Sequence, residues 1–331
     1  MKTLWAEIRR CLLGLPREEI SYARRGFRGA TTEMRARLEQ VGAAFLDGYQ
    51  AALEHGAANG LAGALERLAL DVRGFAFEGA AMGLALQDCL TPWRADRLSR
   101  FLRGAGEPHA YMVHVGVGWV WARSRFGQSR AQRRLDPLLQ WLAFDGWGFH
   151  EGFFHWPKYI SGQPAPRRLA GYERRAFDQG LGRSWWFVNG GNPELIASTI
   201  GNFNESRQPD LWSGIGLAAT YAGMVSEDSL GALRESAGVH WPHLAQGAAF
   251  AAKARQRAAN LTDYTDLAAR TLCSLSALEA ARLCDTTLGA PASLPACCSS
   301  DGQPPRYELW RRRIQNTFQN SQISNLKFQI A

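Results

Sequence analysis

Apolar residues recur at three- and four-residue spacing through residues 32–54, where Leu38, Val41, Phe45, Leu46, Tyr49 and Leu53 form one stripe. That period predicts an amphipathic helix with one buried face. Residues 73–88, RGFAFEGAAMGLALQD, read differently: small and large apolar residues lie on all sides, with Glu78 among Phe75, Phe77 and Met82. A helix apolar all round is a buried one, and a carboxylate there must be paired, protonated or used. Further helical segments are expected at 61–70, 94–104, 131–144, 193–203 and 226–238, with a last one over 263–283. Asn192 before Pro193, and Ser226 before Glu227 and Asp228, are helix-start signals. Breaks fall at Pro92, 104–108, 162–166, 190–191 and 208–209. No alternating strand or Asn-Gly hairpin is present, so the fold class is all-α.

A glycine step repeats along these helices. Aligned on it, the chain reads LDGYQAAL at Gly48, FEGAAMGL at Gly79, HVGVGWVW at Gly116 and HEGFFHW at Gly152. DQGLGRSWWF at Gly180, WSGIGLAATY at Gly214 and AQGAAFAAKA at Gly247 complete the set. The intervals between those positions are 31, 37, 36, 28, 34 and 33 residues. About seven units of roughly 33 residues are the signature of helix-hairpin repeats, which stack as a solenoid or close as an α/α ring. Glycine inside a helix costs about 1 kcal/mol against alanine, so the step predicts close helix packing or room for a ligand along an inner face.

Residues 1–30 hold a short helix, a break at 14–16 and the polar segment SYARRGFRG, expected to cap the first apolar face. Residues 31–285 form the repeat domain. From 286 to 331 the chain turns Pro/Ser/Cys-rich and then polar, and is expected to lie outside the fold as a disordered tail.

Composition narrows the partners. A net charge of +8 is scattered rather than gathered in a stripe, which does not favour nucleic acid. Cys11, Cys89, Cys273, Cys284, Cys297 and Cys298 include no CxxC pair, as fits a reduced, cytoplasmic setting without a disulfide framework. No run approaches the ~18 apolar residues of a membrane span, and the first residues are too charged for a signal peptide. Phosphate-loop, dinucleotide, GxSxG and aspartate-rich motifs are missing, so no cofactor is expected.

Glu78 and Glu151 both sit beside aromatic residues that would raise a carboxyl pKa, which makes them acid/base candidates; a buried acid tied to an arginine is the structural alternative. His114, His150, Gln179 and Gln246 lie at or near glycine steps and could face the same inner surface as ligand contacts. Over 145–159, DGWGFHEGFFHWPKY, His150 and His155 are five apart and so do not share a helix face, which argues against a metal pair. Trp147, Trp185 and Trp212 supply aromatic surface for an apolar ligand or, equally, for a core.

The wording of SYARRGF (21–27), RGFAFEGAAMGLAL (73–86), YMVHVGVGW (111–119), LDPLLQWLAFDGWGFHEGFFHW (135–156), YERRAFDQGLGRSWWFV (172–188), DLWSGIGLAATYAGM (210–224) and LAQGAAFAAKARQRA (244–258) resembles a bacterial family, domain of unknown function 1702. The resemblance covers about residues 8–285, and members of that family often accompany enediyne polyketide gene clusters. It implies an accessory role in specialised-metabolite biosynthesis and names no catalytic residue. The leading expectation is a protein that binds or transforms an apolar, polyene-like intermediate in a concave groove. A non-enzymatic scaffold for a biosynthetic partner protein, and a cofactor-free polyene cyclase of α/α-ring type, are the alternatives.

Overall fold

The computed structural model describes residues 4–57, 59–94, 96–124, 128–162, 164–289 and 303–330. The chain opens with α1 (Leu4–Leu13), α2 (Tyr22–Arg25), α3 (Thr32–His55), α4 (Asn59–Glu66), α5 (Leu70–Leu90) and α6 (Arg97–Leu102). It continues through α7 (Ala110–Arg123), α8 (Gln128–Gln132), α9 (Trp141–Phe154), α10 (Trp156–Tyr159), α11 (Tyr172–Val188) and α12 (Pro193–Gly201). Then come α13 (Gln208–Tyr221), α14 (Glu227–Ala237), α15 (Trp241–Arg257), α16 (Asp263–Cys273), α17 (Ala277–Leu288) and α18 (Arg306–Ile330). No strand occurs among the described residues, and the protein is all-α. None of the described helices is long and apolar enough to cross a membrane.

The glycine-bearing helices α3, α5, α7, α9, α11, α13 and α15 form one row, each packed on the next. A Cβ on Gly180 would stand 1.7 Å from the carbonyl oxygen of Asp145, and one on Gly247 1.9 Å from that of Ser213. Here the glycine is a seam: backbone meets backbone, and no side chain fits between. The spacing Gly-x-Gly has a geometric reason. Two residues turn about 200° around a helix, so the two glycines face opposite neighbours. Gly180 meets α9 while Gly182 meets α13, and Gly214 meets α11 while Gly216 meets α15.

The same seams correct the register of the fourth unit. In α9 the glycines against backbone carbonyls are Gly146, facing Val115 of α7, and Gly148, facing Phe177 of α11. Gly152 instead meets the Ser184 side chain. With Gly146 in the alignment the neighbouring intervals become 30 (116 to 146) and 34 (146 to 180), and the short fourth unit disappears.

The outer layer is uneven. Asn192 accepts the amide of Leu195 at 2.9 Å and Ser226 that of Ser229 at 3.2 Å, so α12 and α14 start where the caps predict. The expected helix over 131–144 is broken: α8 ends at Gln132 and α9 begins at Trp141, with Pro137 between. The expected helix over 263–283 is two helices, because Ser274 takes a left-handed φ of 57° and Ser276 starts α17 with a capping box to Glu279.

The row curls until its ends meet. Arg37 of α3 donates to the Ala222 carbonyl at 3.0 Å, and Arg255 of α15 to the Asp71 carbonyl at 2.9 Å. The inner faces therefore enclose a space. In its second half much of that space is occupied by the chain's own C-terminus. Tyr307, Trp310, Ile314 and Phe318 of α18 are buried, with Trp310 tilted against Phe250 (ring centroids 4.5 Å) and donating to the Cys284 carbonyl at 2.8 Å. The expectation of a tail outside the fold is thus overturned for residues 303–320. Spacings of three, four and four residues put those four apolar side chains on one helix face, and that face has a partner. Residues 290–302, with Cys297 and Cys298, lie outside the described residues. Among the described residues, Cys11, Cys89, Cys273 and Cys284 form no disulfide.

Candidate functional site

In the first half of the row the enclosed space is a cavity. Its wall comes from α3, α5, α7, α9 and α11, closed on one side by Leu15, Glu19 and Ile20 of the N-terminal segment. Phe45, Phe75, Trp119, Phe149, Phe153 and Phe187 make it apolar, and Glu78, Arg123 and Arg183 are polar members of its wall. It measures about 570 Å³ counting its mouth. The space is a slot.

Glu78 is 2% exposed. Trp119 Nε1 donates to its Oε1 at 2.9 Å, while the nearest cation, Arg183 Nη2, stands 4.0 Å from Oε2. Burial pushes the Glu78 carboxyl up to about 7, against the opposing pull of Arg183 and Trp119. Arg183 is committed elsewhere: its Nη1 pairs with Asp145 Oδ1 at 2.5 Å, and its guanidinium lies over the Phe149 ring. Asp145 also accepts from Gln179 Nε2 at 2.8 Å, and the same Gln179 nitrogen donates to the Tyr307 hydroxyl at 3.2 Å. A buried polar chain therefore runs from the cavity to α18.

A second polar cluster lies further along, under α18. Gln246 accepts from Ser213 at 2.9 Å, Arg311 Nε at 3.1 Å and Gln315 at 3.2 Å. Arg311 donates to Asp210 at 2.8 Å, and Arg175 bridges Asp210 (2.8 Å) and Glu308 (2.6 Å). Burial opposes ionisation of Asp210 and Glu308, yet Arg311 and Arg175 outweigh it and hold both carboxyls below their ordinary range.

The residues proposed from sequence separate into groups. Glu78 lines the cavity. Gln179 and Gln246 belong to the two polar networks behind it. Glu151 does not join Glu78: it accepts from the Tyr159 hydroxyl at 3.0 Å and lies beside His150 and His155. Burial raises its carboxyl, but those partners prevail and leave it lowered. His114 is a structural bridge, its Nδ1 on the Ala110 carbonyl at 2.7 Å and its Nε2 accepting the Asp136 amide at 3.1 Å. Trp147 packs under Arg168 at 3.9 Å, Trp185 lies near Phe203, and Trp212 is buried in α13; none of the three lines the cavity.

His150 and His155 come together despite their spacing of five, because α9 ends at Phe154 and the chain turns. The ligand atoms of His150, Glu151 and His155 lie within 4.8 Å of one another. They fit a metal poorly. Arg123 Nε donates to His150 Nε2 at 3.0 Å, which leaves the ring proton on Nδ1, the atom a metal would need.

Asp145, Arg183 and Trp119 were not singled out from the sequence. Asp145 carried a usable signal: it precedes Gly146-x-Gly148, the two-sided spacing seen at 116, 180 and 214, whereas Gly152 has no glycine two residues on. Arg183 and Trp119 carried none.

No curated protein and no solved structure matches the chain. The family model described as "Protein of unknown function (DUF1702)" matches residues 4–318, and with its seam glycines, its cavity and most of α18 inside that span, the chain belongs to this family.

Proposed function

We propose that the protein binds an apolar, polyene-like small molecule in the cavity between α3 and α11 and that Glu78 transfers a proton to or from it. The biosynthetic setting, accessory to enediyne-type polyketide assembly, is proposed with it on the strength of the family resemblance. The observation that carries the reading is Glu78 itself: an acid with a pKa of about 7, facing an aromatic slot, with no cation closer than 4.0 Å among the described residues. Such a group can give or take a proton near neutral pH, the condition for general acid–base work. A carboxyl weakened in this way is a poor acid for an isolated alkene. That weighs against the cyclase reading and for proton transfer at a carbonyl or its enol. The scaffold reading loses support because α18 occupies much of the second half of the enclosed space.

The test is Glu78→Gln in a host that makes the product, with native mass spectrometry of the purified protein. Product formation is expected to fall about a hundredfold or more while an apolar compound still co-purifies. Full product formation by the variant would remove proton transfer by Glu78. A wild-type protein carrying a partner polypeptide and no small molecule would replace the whole reading with the scaffold.

A further inference from the structure

We infer that the cavity at Glu78 is the first of two chambers of one channel, which takes a long, thin, neutral chain molecule and holds a hydrogen-bond-accepting oxygen of that chain at Arg183. This rests on the reading of the Glu78 cavity as a ligand site and specifies what enters it.

A second apolar cavity of about 340 Å³ lies among α7, α9, α11, α13 and α15, with Met112, Val115, Leu142, Leu217, Phe250 and Ala254 in its wall. Arg183 lines both cavities. The walls continue from one to the other along the same helix faces. On α7, Met112 and Val115 of the second chamber are followed at helical spacing by Trp119 of the first; on α9, Leu142 is followed by Phe149 and Phe153. Measured along α7 from Met112 to Arg123, the combined wall is about 16 Å long at the usual helical rise. Aromatic and branched side chains close in on both chambers, so the channel is suited to a chain and not to a bulky polycycle.

Arg183 sits at the junction and is 4% exposed. Its Nη1 is taken by Asp145, but its Nε has no hydrogen-bond partner among the described residues, and its Nη2 is 4.0 Å from Glu78. A buried guanidinium N–H without an acceptor costs about 1–3 kcal/mol, which an oxygen on the bound chain would recover. That oxygen belongs to a neutral group. Asp145 already compensates the Arg183 charge, and an anionic group at Arg183 would add a negative charge beside Asp145 and Glu78. A carbonyl placed there would meet Arg183 and the carboxyl of Glu78 together.

The experiment measures binding by quenching of tryptophan emission, since Trp119 stands in the wall. The probes are methyl parinarate, a long tetraene ester, methyl sorbate, a short diene ester, and an oxygen-free polyene hydrocarbon as long as the first. Ala254→Leu fills the second chamber, and Ala251→Val serves the same purpose should the first variant fold poorly. The long ester is expected to bind the wild type and to lose about tenfold or more in affinity in the filled variant, with the short ester unchanged; the hydrocarbon should bind about tenfold more weakly than the ester. Equal affinity of the long ester for wild type and filled variant would overturn the two-chamber channel while leaving the Glu78 site standing. Equal binding of ester and hydrocarbon would overturn the role of Arg183. If none of the probes binds the wild type, the ligand-site reading falls and this inference with it.

Discussion

Two groups of buried acids and arginines lie along the same inner surface, and they are built differently. Under α18, every carboxylate oxygen of Asp210 and Glu308 has an arginine nitrogen within 3.5 Å. In the cavity, Glu78 has one indole hydrogen bond, an arginine 4.0 Å away and aromatic rings around it. The first group holds its acids ionised and fastens α18 to the row. The second keeps its acid near the point of protonation beside open space. Saturated charge is a structural device here; unsaturated charge marks the candidate site.

The largest expected effect tests the saturated group. Arg311→Leu leaves Asp210 and Glu308 buried with one cation fewer and should cost about 3–5 kcal/mol, read from denaturant midpoints. A loss well under 1 kcal/mol would show that α18 is held by its apolar face alone.

The second prediction concerns pH and has opposite signs in the two groups. Glu78 has a folded pKa of about 7 against an ordinary 4.5, so between those values only the unfolded chain releases the proton. Stability from this residue should therefore fall as pH rises from about 4.5 to about 7, by about 3 kcal/mol in total. Glu78→Gln should remove that fall, which the difference between the two proteins' stability–pH curves would show. Parallel curves would mean that Glu78 is ionised throughout and that the contrast between the groups is false. Asp210 and Glu308, both lowered, contribute stability that is present at neutral pH and lost as pH drops below the ordinary carboxyl range.

The smallest effect belongs to Glu151→Gln. It trims a charged hydrogen bond from Tyr159 and should cost about 1 kcal/mol, with ligand binding in the cavity unchanged. Binding lost in this variant would bring Glu151 back to the site.

Glu151 and Asp145 show why one acid of the proposed pair was misplaced. Both precede a glycine in α9, but the six-residue step from one to the other turns the helix by about 240°, so only one can face the enclosed space. Aligning the repeat on Gly152 rather than Gly146 put Glu151 in the place that Asp145 holds. The C-terminal helix was misread for another reason. The stripe of Tyr307, Trp310, Ile314 and Phe318 was present, but Arg311, Arg312 and Arg313 made the segment look solvated. Arg311 proves wholly buried because Asp210, almost exactly a hundred residues earlier, receives it.

What the sequence determined by itself is local: helices, from apolar periodicity; their starts, from Asn192 and Ser226; and the tight seams, from glycine recurring about every 33 residues. Those features depend on residues a few positions apart, and the sequence displays such neighbours directly. The tertiary structure alone decided that the row curls closed, that α18 enters it, and that Glu78 meets an apolar slot while Asp210 meets two arginines. These outcomes turn on contacts such as Arg37 with Ala222 and Arg311 with Asp210, between residues far apart in the chain. The charge state of a buried acid is set by such distant neighbours, and nothing in its flanking residues records them.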